Sequence, residues 1–135
     1  MKRIAIVVSA LMLAVFTAAC SSDTMESAQA SPMRVDASEF ASVIAETGTQ
    51  IIDVRTPEEF AEGHIQGAVN IPVESSDFLD AVADLDPDAT YAVYCRSGNR
   101  SQGAVASMAS AGITEIYELE SGTVGWTGEG LPLVQ

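Results

Sequence analysis

The chain has 135 residues, of which 47% are hydrophobic, 19 are acidic and six are basic. This length suits one compact domain. The formal charge of −13 argues against nucleic acid or an anionic membrane face as a partner, because both are bound by clustered Lys and Arg side chains. Two cysteines, Cys20 and Cys95, are too few for a small fold held together by disulfides.

Residues 1–19 have the layout of an export signal. Lys2 and Arg3 form a short positive region, and the apolar run that follows ends in small residues before Cys20. This ending resembles the lipobox of bacterial lipoprotein signal peptides, which implies that Cys20 is lipidated and becomes the new N-terminus. Thr17 departs from the lipobox, which usually has an aliphatic residue there. An ordinary secretory signal and an uncleaved anchor are the alternatives.

Residues 20–32 predict a flexible tether, because they are rich in Ser and Ala and show no sustained apolar period. The folded domain is then expected at residues 33–135. All 19 acidic residues lie beyond residue 20, together with four arginines and no lysine, so the mature charge is −15. We expect an extracytoplasmic protein attached to the bacterial cell membrane by its N-terminal lipid, with a secreted or periplasmic soluble protein as the alternative.

Strand and helix patterns alternate from residue 33 onward. Short apolar or β-branched runs predict strands at residues 33–35, 50–54, 68–71, 90–94 and 115–119. Capping residues and apolar spacing predict helices at residues 36–46, 56–62, 77–85 and 100–111. In the third helix, Phe78, Leu79, Val82 and Leu85 are expected to share one buried face. The alternation predicts an α/β fold with a central, parallel five-stranded sheet and helices on both faces.

Cys95 directly follows the fourth predicted strand. Ligands of open parallel sheets bind beyond the carboxyl ends of the strands. Gly98 and Asn99 tolerate unusual backbone angles, so the loop amides can converge on one point. Arg96, Arg100 and the positive end of the following helix add charge that favours a thiolate, and a depressed pKa is predicted for the Cys95 thiol.

Two other roles for Cys95 are possible from the sequence. Free cysteines are often small buried hydrophobes, although such a role explains neither the two arginines nor the glycine of this loop. A disulfide with Cys20 is the second alternative, and lipidation of Cys20 would prevent it.

Three segments together resemble the single-domain rhodanese family of sulfurtransferases. They are residues 51–60 (IIDVRTPEEF), 63–72 (GHIQGAVNIP) and 95–101 (CRSGNRS). The resemblance extends over residues 33–134, which is nearly the whole predicted domain, and it implies the rhodanese-like fold.

The resemblance implies a mechanism through a persulfide. Cys95 would take sulfane sulfur from a small donor such as thiosulfate and pass it to a thiol or to cyanide. The substrate-binding residues implied are Arg96, Ser97, Gly98, Asn99 and Arg100, whose amides would surround the sulfur while the two arginines bind the charge of the donor. No cofactor and no metal are implied, and we expect a monomer.

The length of the loop separates related chemistries. Four residues lie between Cys95 and Arg100, whereas the related cysteine phosphatases and arsenate reductases have one more. The shorter loop fits a single sulfur better than a tetrahedral oxyanion. The alternative function is a non-catalytic rhodanese-like sulfur carrier or protein-binding module at the cell envelope.

Asp53 and Arg55 are supporting candidates at the end of the second strand. Either side chain could brace the active loop through a charge-assisted hydrogen bond. The alternative is an ion pair between Arg55 and Glu59 or Glu62. In the loop itself, Ser97 and Ser101 could bond the sulfur or cap the following helix.

Overall fold

The computed structural model describes residues 32–135. The predicted signal peptide, the lipidation site Cys20 and the tether up to residue 31 lie outside the described residues. The strands are β1 (Met33–Val35), β2 (Gln50–Asp53), β3 (Val69–Asn70), β4 (Thr90–Tyr94) and β5 (Glu115–Leu119). The helices are α1 (Ala37–Ile44), α2 (Pro57–Glu62), α3 (Phe78–Ala83), α4 (Arg100–Ser110) and α5 (Gly122–Gly128). No helix within the described residues is long and apolar enough to cross a membrane.

All five strands belong to one parallel sheet in the order β1-β5-β4-β2-β3. The predicted α/β fold with a five-stranded parallel sheet is therefore confirmed. The bounds of β1, β4 and β5 agree with the sequence patterns, whereas β2 ends one residue early at Asp53 and β3 is only two residues long.

The helices cover both faces of the sheet because β-strand side chains alternate between faces. On one face, Tyr91 and Val93 of β4 pack in a cluster with residues of α3 and α4. On the other face, Tyr94 packs with Phe40 of α1 and Trp126 of α5. The Phe40 ring meets the rings of Tyr94 and Trp126 edge-on, at centroid distances of 6.3 and 6.2 Å.

The capping signals position two helices as expected. Asp36 accepts a hydrogen bond from the Glu39 N–H at 2.8 Å at the start of α1. Thr56 and Glu59 form a complete capping box at the start of α2, with Pro57 in its first turn. The box also fixes the Glu59 side chain, because its carboxylate accepts a hydrogen bond from the Thr56 N–H.

One expected core residue is not in the core. Phe78 and Val82 of α3 are buried, but Leu79 is 65% exposed. A helix turns by about a quarter of a circle or more per residue, so the side chain after Phe78 leaves the narrow face that this six-residue helix presents to the sheet. The prediction that Leu79 shares the buried face is wrong.

Candidate active site

Cys95 lies in the crevice where the strand order changes direction. The chain passes from β4 to β5 on one side and from β2 to β3 on the other, so the connections that follow β4 and β2 diverge. Such a divergence opens a crevice at the carboxyl ends of the two strands. Cys95 extends the alternation of Tyr91 and Val93, which places its side chain on the face covered by α4.

The Cys95 sulfur is enclosed by its own loop and by the first turn of α4. The residue is 1% exposed, and it is the free cysteine of the described chain. The Gly98 N–H donates a hydrogen bond to Sγ at 3.1 Å, and the Ser101 Oγ lies 3.4 Å from Sγ. Ser101 therefore bonds the sulfur, while Asn99 occupies the N-cap position of α4 without a side-chain capping bond.

The pKa of the Cys95 thiol is held below its usual value, in the direction that the sequence predicts. Burial alone would raise this pKa, but hydrogen bonds from the Ser101 hydroxyl and from the amides of Ser101, Ser97 and Gly98 outweigh it. The loop amides are a cause that the sequence also predicted, whereas the two arginines are not among the leading causes. Short-range hydrogen bonds inside the loop stabilise the thiolate.

The loop has its shape because two glycines allow close backbone contacts. Gly98 has a φ of 84°, and a Cβ at this position would overlap the Glu120 carbonyl oxygen. Gly122 has a φ of 58°, and a Cβ there would overlap the backbone carbonyl of Arg96. Both positions require the left-handed region that favours glycine.

Helix α5 binds the backbone of the Cys95 loop. No sequence pattern predicted this helix. Its Thr123 and Val124 amides donate to the carbonyls of Cys95 and Arg96 at 3.0 and 3.1 Å. The sequence of α5 contains three glycines, which disfavour an isolated helix. The tertiary contacts with the loop therefore stabilise this helix, and the same hydrogen bonds fix the backbone conformation at Cys95.

Arg100 forms an ion pair with Glu59 of α2. Its guanidinium forms two hydrogen bonds with the Glu59 carboxylate, at 2.7 and 2.8 Å, across the crevice between β4 and β2. This bond lowers the pKa of Glu59 to about 2. The sequence predicted that Arg100 binds the charge of a donor, but in the structure a carboxylate already occupies its hydrogen-bonding edge.

Replacing Glu59 by glutamine is expected to lower the free energy of unfolding by about 1 kcal/mol near neutral pH. Glutamine keeps the capping box and removes the ion pair. The folded-state pKa of Glu59 is depressed from 4.5 to about 2, so its stabilising effect is present above the unfolded pKa and is lost as the pH falls through about 2. Urea unfolding at several pH values measures the difference.

The matched control is Glu58→Gln, which removes an exposed charge one residue away. It should unfold like the wild type at every pH. A Glu59→Gln deficit of the same size at pH 7 and near pH 2 would contradict the ion-pair explanation.

The remaining loop residues differ in exposure. Gly98 is buried, whereas Arg96, Ser97 and Asn99 are exposed. Within residues 32–135, Arg96 is the arginine that forms no ion pair. An anion that approaches the crevice therefore meets Arg96 as an unpaired positive charge.

Asp53 and Arg55 do not brace the active loop; they bond each other. Both are buried, and the Arg55 guanidinium contacts the Asp53 carboxylate at 2.6 Å and the Gly63 carbonyl at 2.7 Å. Asn70 ties their backbone carbonyls to β3. The suggested pairs of Arg55 with Glu59 or Glu62 are also not formed, because Asp53 lies two residues away on the same strand end.

Two site residues were missed by the sequence analysis. Glu118 of β5 is fully buried on the same face as Cys95, and its carboxylate accepts a 2.5 Å hydrogen bond from Ser101. Arg34 of β1 lies 2.8 Å from the other Glu118 oxygen. The available signal was the alternation of β5, which puts the charge of Glu118 on the inward-facing side with Ile116.

His64 lies in a structural turn. Its backbone exchanges two hydrogen bonds with Val134, both 2.8 Å, and its ring stacks on Phe60 at a centroid distance of 3.9 Å. Among the residues described, no group of three His, Cys, Asp or Glu side chains is arranged to hold a metal ion.

Comparison with known proteins agrees with this geometry. The family model of the rhodanese-like domain matches residues 36–129. The chain is 38% identical to the thiosulfate sulfurtransferase GlpE of Pseudomonas aeruginosa strain LESB58, over 67% of this chain and 80% of that protein. It is 36% identical to thiosulfate sulfurtransferase 16, chloroplastic, of Arabidopsis thaliana, over 63% of this chain and 79% of that protein.

A solved structure shows the same fold. The crystal structure of a rhodanese-related protein from Thermoplasma volcanium superposes with a TM-score of 0.66 at 31% identity, covering 76% of this chain and 97% of that one. The family match covers more than half of the chain, and the relatives share a third or more of the aligned residues. The chain belongs to the rhodanese-like family and is a rhodanese-type transferase.

Proposed function

We propose that this protein transfers sulfane sulfur from a small anionic donor to a thiophilic acceptor through a persulfide on Cys95. The observation that carries the proposal is the environment of the sulfur. Cys95 is a free cysteine at the carboxyl end of a central strand, and loop hydrogen bonds depress its pKa. A thiolate is the nucleophilic form of cysteine.

With thiosulfate as donor, the first step forms one S–S bond and breaks another. The Cys95 thiolate attacks the sulfane sulfur, the S–S bond of thiosulfate breaks, and its electron pair leaves with sulfite. Cys95 then carries a persulfide anion. In the second step a thiolate or cyanide attacks the outer sulfur and forms a new bond to it. The bond between the outer sulfur and Cys95 Sγ breaks, its electron pair remains on Sγ as the regenerated thiolate, and the acceptor leaves as a persulfide or as thiocyanate.

The loop supplies what these steps need. The outer sulfur of a persulfide anion needs hydrogen-bond donors, and the loop places its amides around the neighbouring Sγ, with the Gly98 nitrogen 3.1 Å away. Thiosulfate is a dianion that the acidic surface repels. Arg96, exposed and unpaired among the described residues, is the group we assign to donor docking.

Thiosulfate is the donor that the names of the relatives support. The matched proteins of Pseudomonas aeruginosa and Arabidopsis thaliana are named thiosulfate sulfurtransferases. The loop length between Cys95 and Arg100 favours sulfur over a tetrahedral oxyanion, as the resemblance implies. The acceptor is proposed by class alone, as a thiol or cyanide.

Peptide mass spectrometry after incubation with thiosulfate tests the proposal. Cleavage after arginine places Cys95 in residues 56–96 and Cys20 in a separate peptide that ends at residue 34, so the two thiols are distinguished. We expect the mass of one added sulfur on the Cys95 peptide, and its loss when cyanide is added. Absence of the adduct with thiosulfate, glutathione persulfide and 3-mercaptopyruvate alike would refute sulfur transfer.

For location, we propose that Cys20 is lipidated and anchors the domain outside the cytoplasm. The support is the resemblance of the residues before Cys20 to a lipobox. Metabolic labelling with a palmitate analogue should mark the wild-type chain and leave Cys20→Ser unlabelled. Equal labelling of both chains, or of neither, would overturn the anchor.

A further inference from the structure

Glu118 is a buried carboxylate for which the sulfur-transfer steps above have no role. It is 0% exposed, and it lies on the inward face of β5, where Ile116 joins the apolar cluster under α4. Burial of an unpaired carboxylate costs several kcal/mol. A charge at this position therefore calls for a partner that compensates it.

Its two oxygens have different partners. Ser101 Oγ lies 2.5 Å from Oε1 and donates to it. Arg34 Nε lies 2.8 Å from Oε2 as an ion pair, but Oε2 accepts no hydrogen bond from the described residues. Ser101 is itself buried, and its Oγ lies 3.4 Å from the Cys95 sulfur. One hydroxyl thus connects the nucleophile to the carboxylate, and all three side chains are withdrawn from solvent.

The register of the sheet determines which residues lie beside Glu118 on the neighbouring strands. Arg34 stands opposite Glu118 on β1, and the apolar Val93 stands opposite it on β4. Helix α4 contributes Ser101, and Glu120, directly after the end of β5, is an exposed like charge. Arg34 is the counter-ion, and Ser101 is the polar link to the sulfur.

Ser101 has one hydroxyl hydrogen, and two groups compete for it. With a neutral thiol, Cys95 can donate to Ser101 Oγ while Ser101 donates to Glu118; with a thiolate, the Ser101 hydrogen is the one that can turn to the sulfur. If Cys95 and Glu118 were both ionised, both anions would compete for the one hydroxyl hydrogen of Ser101. That competition leaves the loop amides to Cys95 and Arg34 to Glu118. Two acidic groups that are coupled in this way titrate in two successive steps, and each step belongs to both groups together.

We propose that Glu118 is a positioning residue that shares one proton with the Cys95 thiol through the Ser101 hydroxyl. The inference rests on the proposed function, for which Cys95 must become a thiolate. The thiol proton passes to Ser101 Oγ while the Ser101 proton passes to Glu118 Oε1. The S–H bond and the Ser101 O–H bond break, a new O–H bond forms on each oxygen, and no group is oxidised or reduced.

The exchange reverses the direction of both hydrogen bonds. A protonated Glu118 donates to Ser101, and Ser101 then donates to the thiolate. The site keeps one negative charge throughout, so no charge has to enter a buried space. Burial raises the pKa of Glu118, against the opposing effects of Ser101 and Arg34, which agrees with a carboxyl group that can accept this proton.

The test is the rate of Cys95 alkylation by iodoacetamide as a function of pH, which requires no sulfur transfer. The variants are Glu118→Gln and Ser101→Ala in the full chain, and Glu120→Gln is the control that removes a nearby charge without touching Ser101. Circular dichroism and thermal unfolding establish that each variant is folded. The readout is ionisation of the thiol, not sulfur transfer. Proton sharing can therefore be refuted while the persulfide adduct still forms, and it can be supported while no adduct forms.

If the proton is shared, the plots of Cys95 alkylation rate against pH for the wild type and for Glu118→Gln should cross. The wild type should react in two steps, with partial reactivity at acid pH and completion at alkaline pH, and Glu118→Gln should react in one intermediate step. We expect the ratio of the two rates to change by about tenfold on passing the crossing, which corresponds to about one pKa unit. Ser101→Ala should lose the acid step, and Glu120→Gln should keep both steps.

Superimposable curves for wild type and Glu118→Gln would overturn the proposal. A Glu118→Gln curve that lies at lower pH throughout would also overturn it, since it indicates charge repulsion alone, and so would loss of the acid step in Glu120→Gln. If Glu118→Gln does not fold, carboxyl-carbon NMR of wild-type Glu118 decides. Its titration should change from two steps to one when Cys95 is alkylated, and an unchanged titration refutes the link.

Discussion

Replacement of Cys95 by serine is expected to abolish sulfur transfer, with a rate loss on the order of 10³-fold or more. Serine fills almost the same space in a site that is 1% exposed. Its hydroxyl is not ionised near neutral pH, and its oxygen cannot store sulfur as a persulfide. The rate of sulfite release from thiosulfate, with cyanide as acceptor, measures the loss.

The control for this substitution is Ser110→Ala, at the far end of α4 and exposed. It should transfer sulfur like the wild type, and both variants should unfold at a temperature close to that of the wild type. A Cys95→Ser chain that retains a tenth of the wild-type rate would contradict the assignment of the nucleophile. A Cys95→Ser chain that still fulfils the cellular role would favour the alternative, a binding module.

The substitution Asp53→Asn is expected to lower the free energy of unfolding strongly. Asp53 is fully buried, and it binds Arg55, which is 5% exposed, through the backbone N–H and the guanidinium at 2.6–3.0 Å. Burial disfavours the charge on Arg55, but the Asp53 carboxylate outweighs it and raises the pKa of Arg55. Without that carboxylate a buried guanidinium remains unpaired, which costs about 3–5 kcal/mol. Equilibrium urea unfolding measures the change.

Glu58→Gln again serves as the control, since it removes an exposed charge from the neighbouring α2. It should change the free energy of unfolding by about 0.5 kcal/mol or less. The double variant Asp53→Asn, Arg55→Met should lose less than the two single variants together, because no charge is left buried without a partner. An Asp53→Asn cost below about 1 kcal/mol would contradict the role of this pair.

Much of the architecture could be predicted because its causes are local. The capping box of α2 requires Thr56 and Glu59 three residues apart, and the structure contains it. The apolar run of residues 90–94 is β4, and the loop that follows it places Cys95 at the carboxyl end of a strand. Spacing, capping and turn residues act over a few positions, so a reader of the sequence can see them.

Other features depend on residues that are far apart in the chain. Arg100 meets Glu59 across 41 positions, and Ser101 meets Glu118 across 17 positions. Helix α5 forms in a segment of low helix propensity because the Cys95 loop binds its first turn. Propensity and spacing contain no information about such partners.

The sequence by itself determined the α/β fold, the position of Cys95 at the carboxyl end of β4 and the family to which the chain belongs. Only the tertiary structure decided which side chains from other elements lie around that cysteine. The depressed pKa of Cys95 comes from Ser101 and loop amides, and Glu118 reaches Ser101 from a different strand. The physical reason is that hydrogen bonds act over about 3 Å in space, whereas the groups they join here come from β4, α4 and β5.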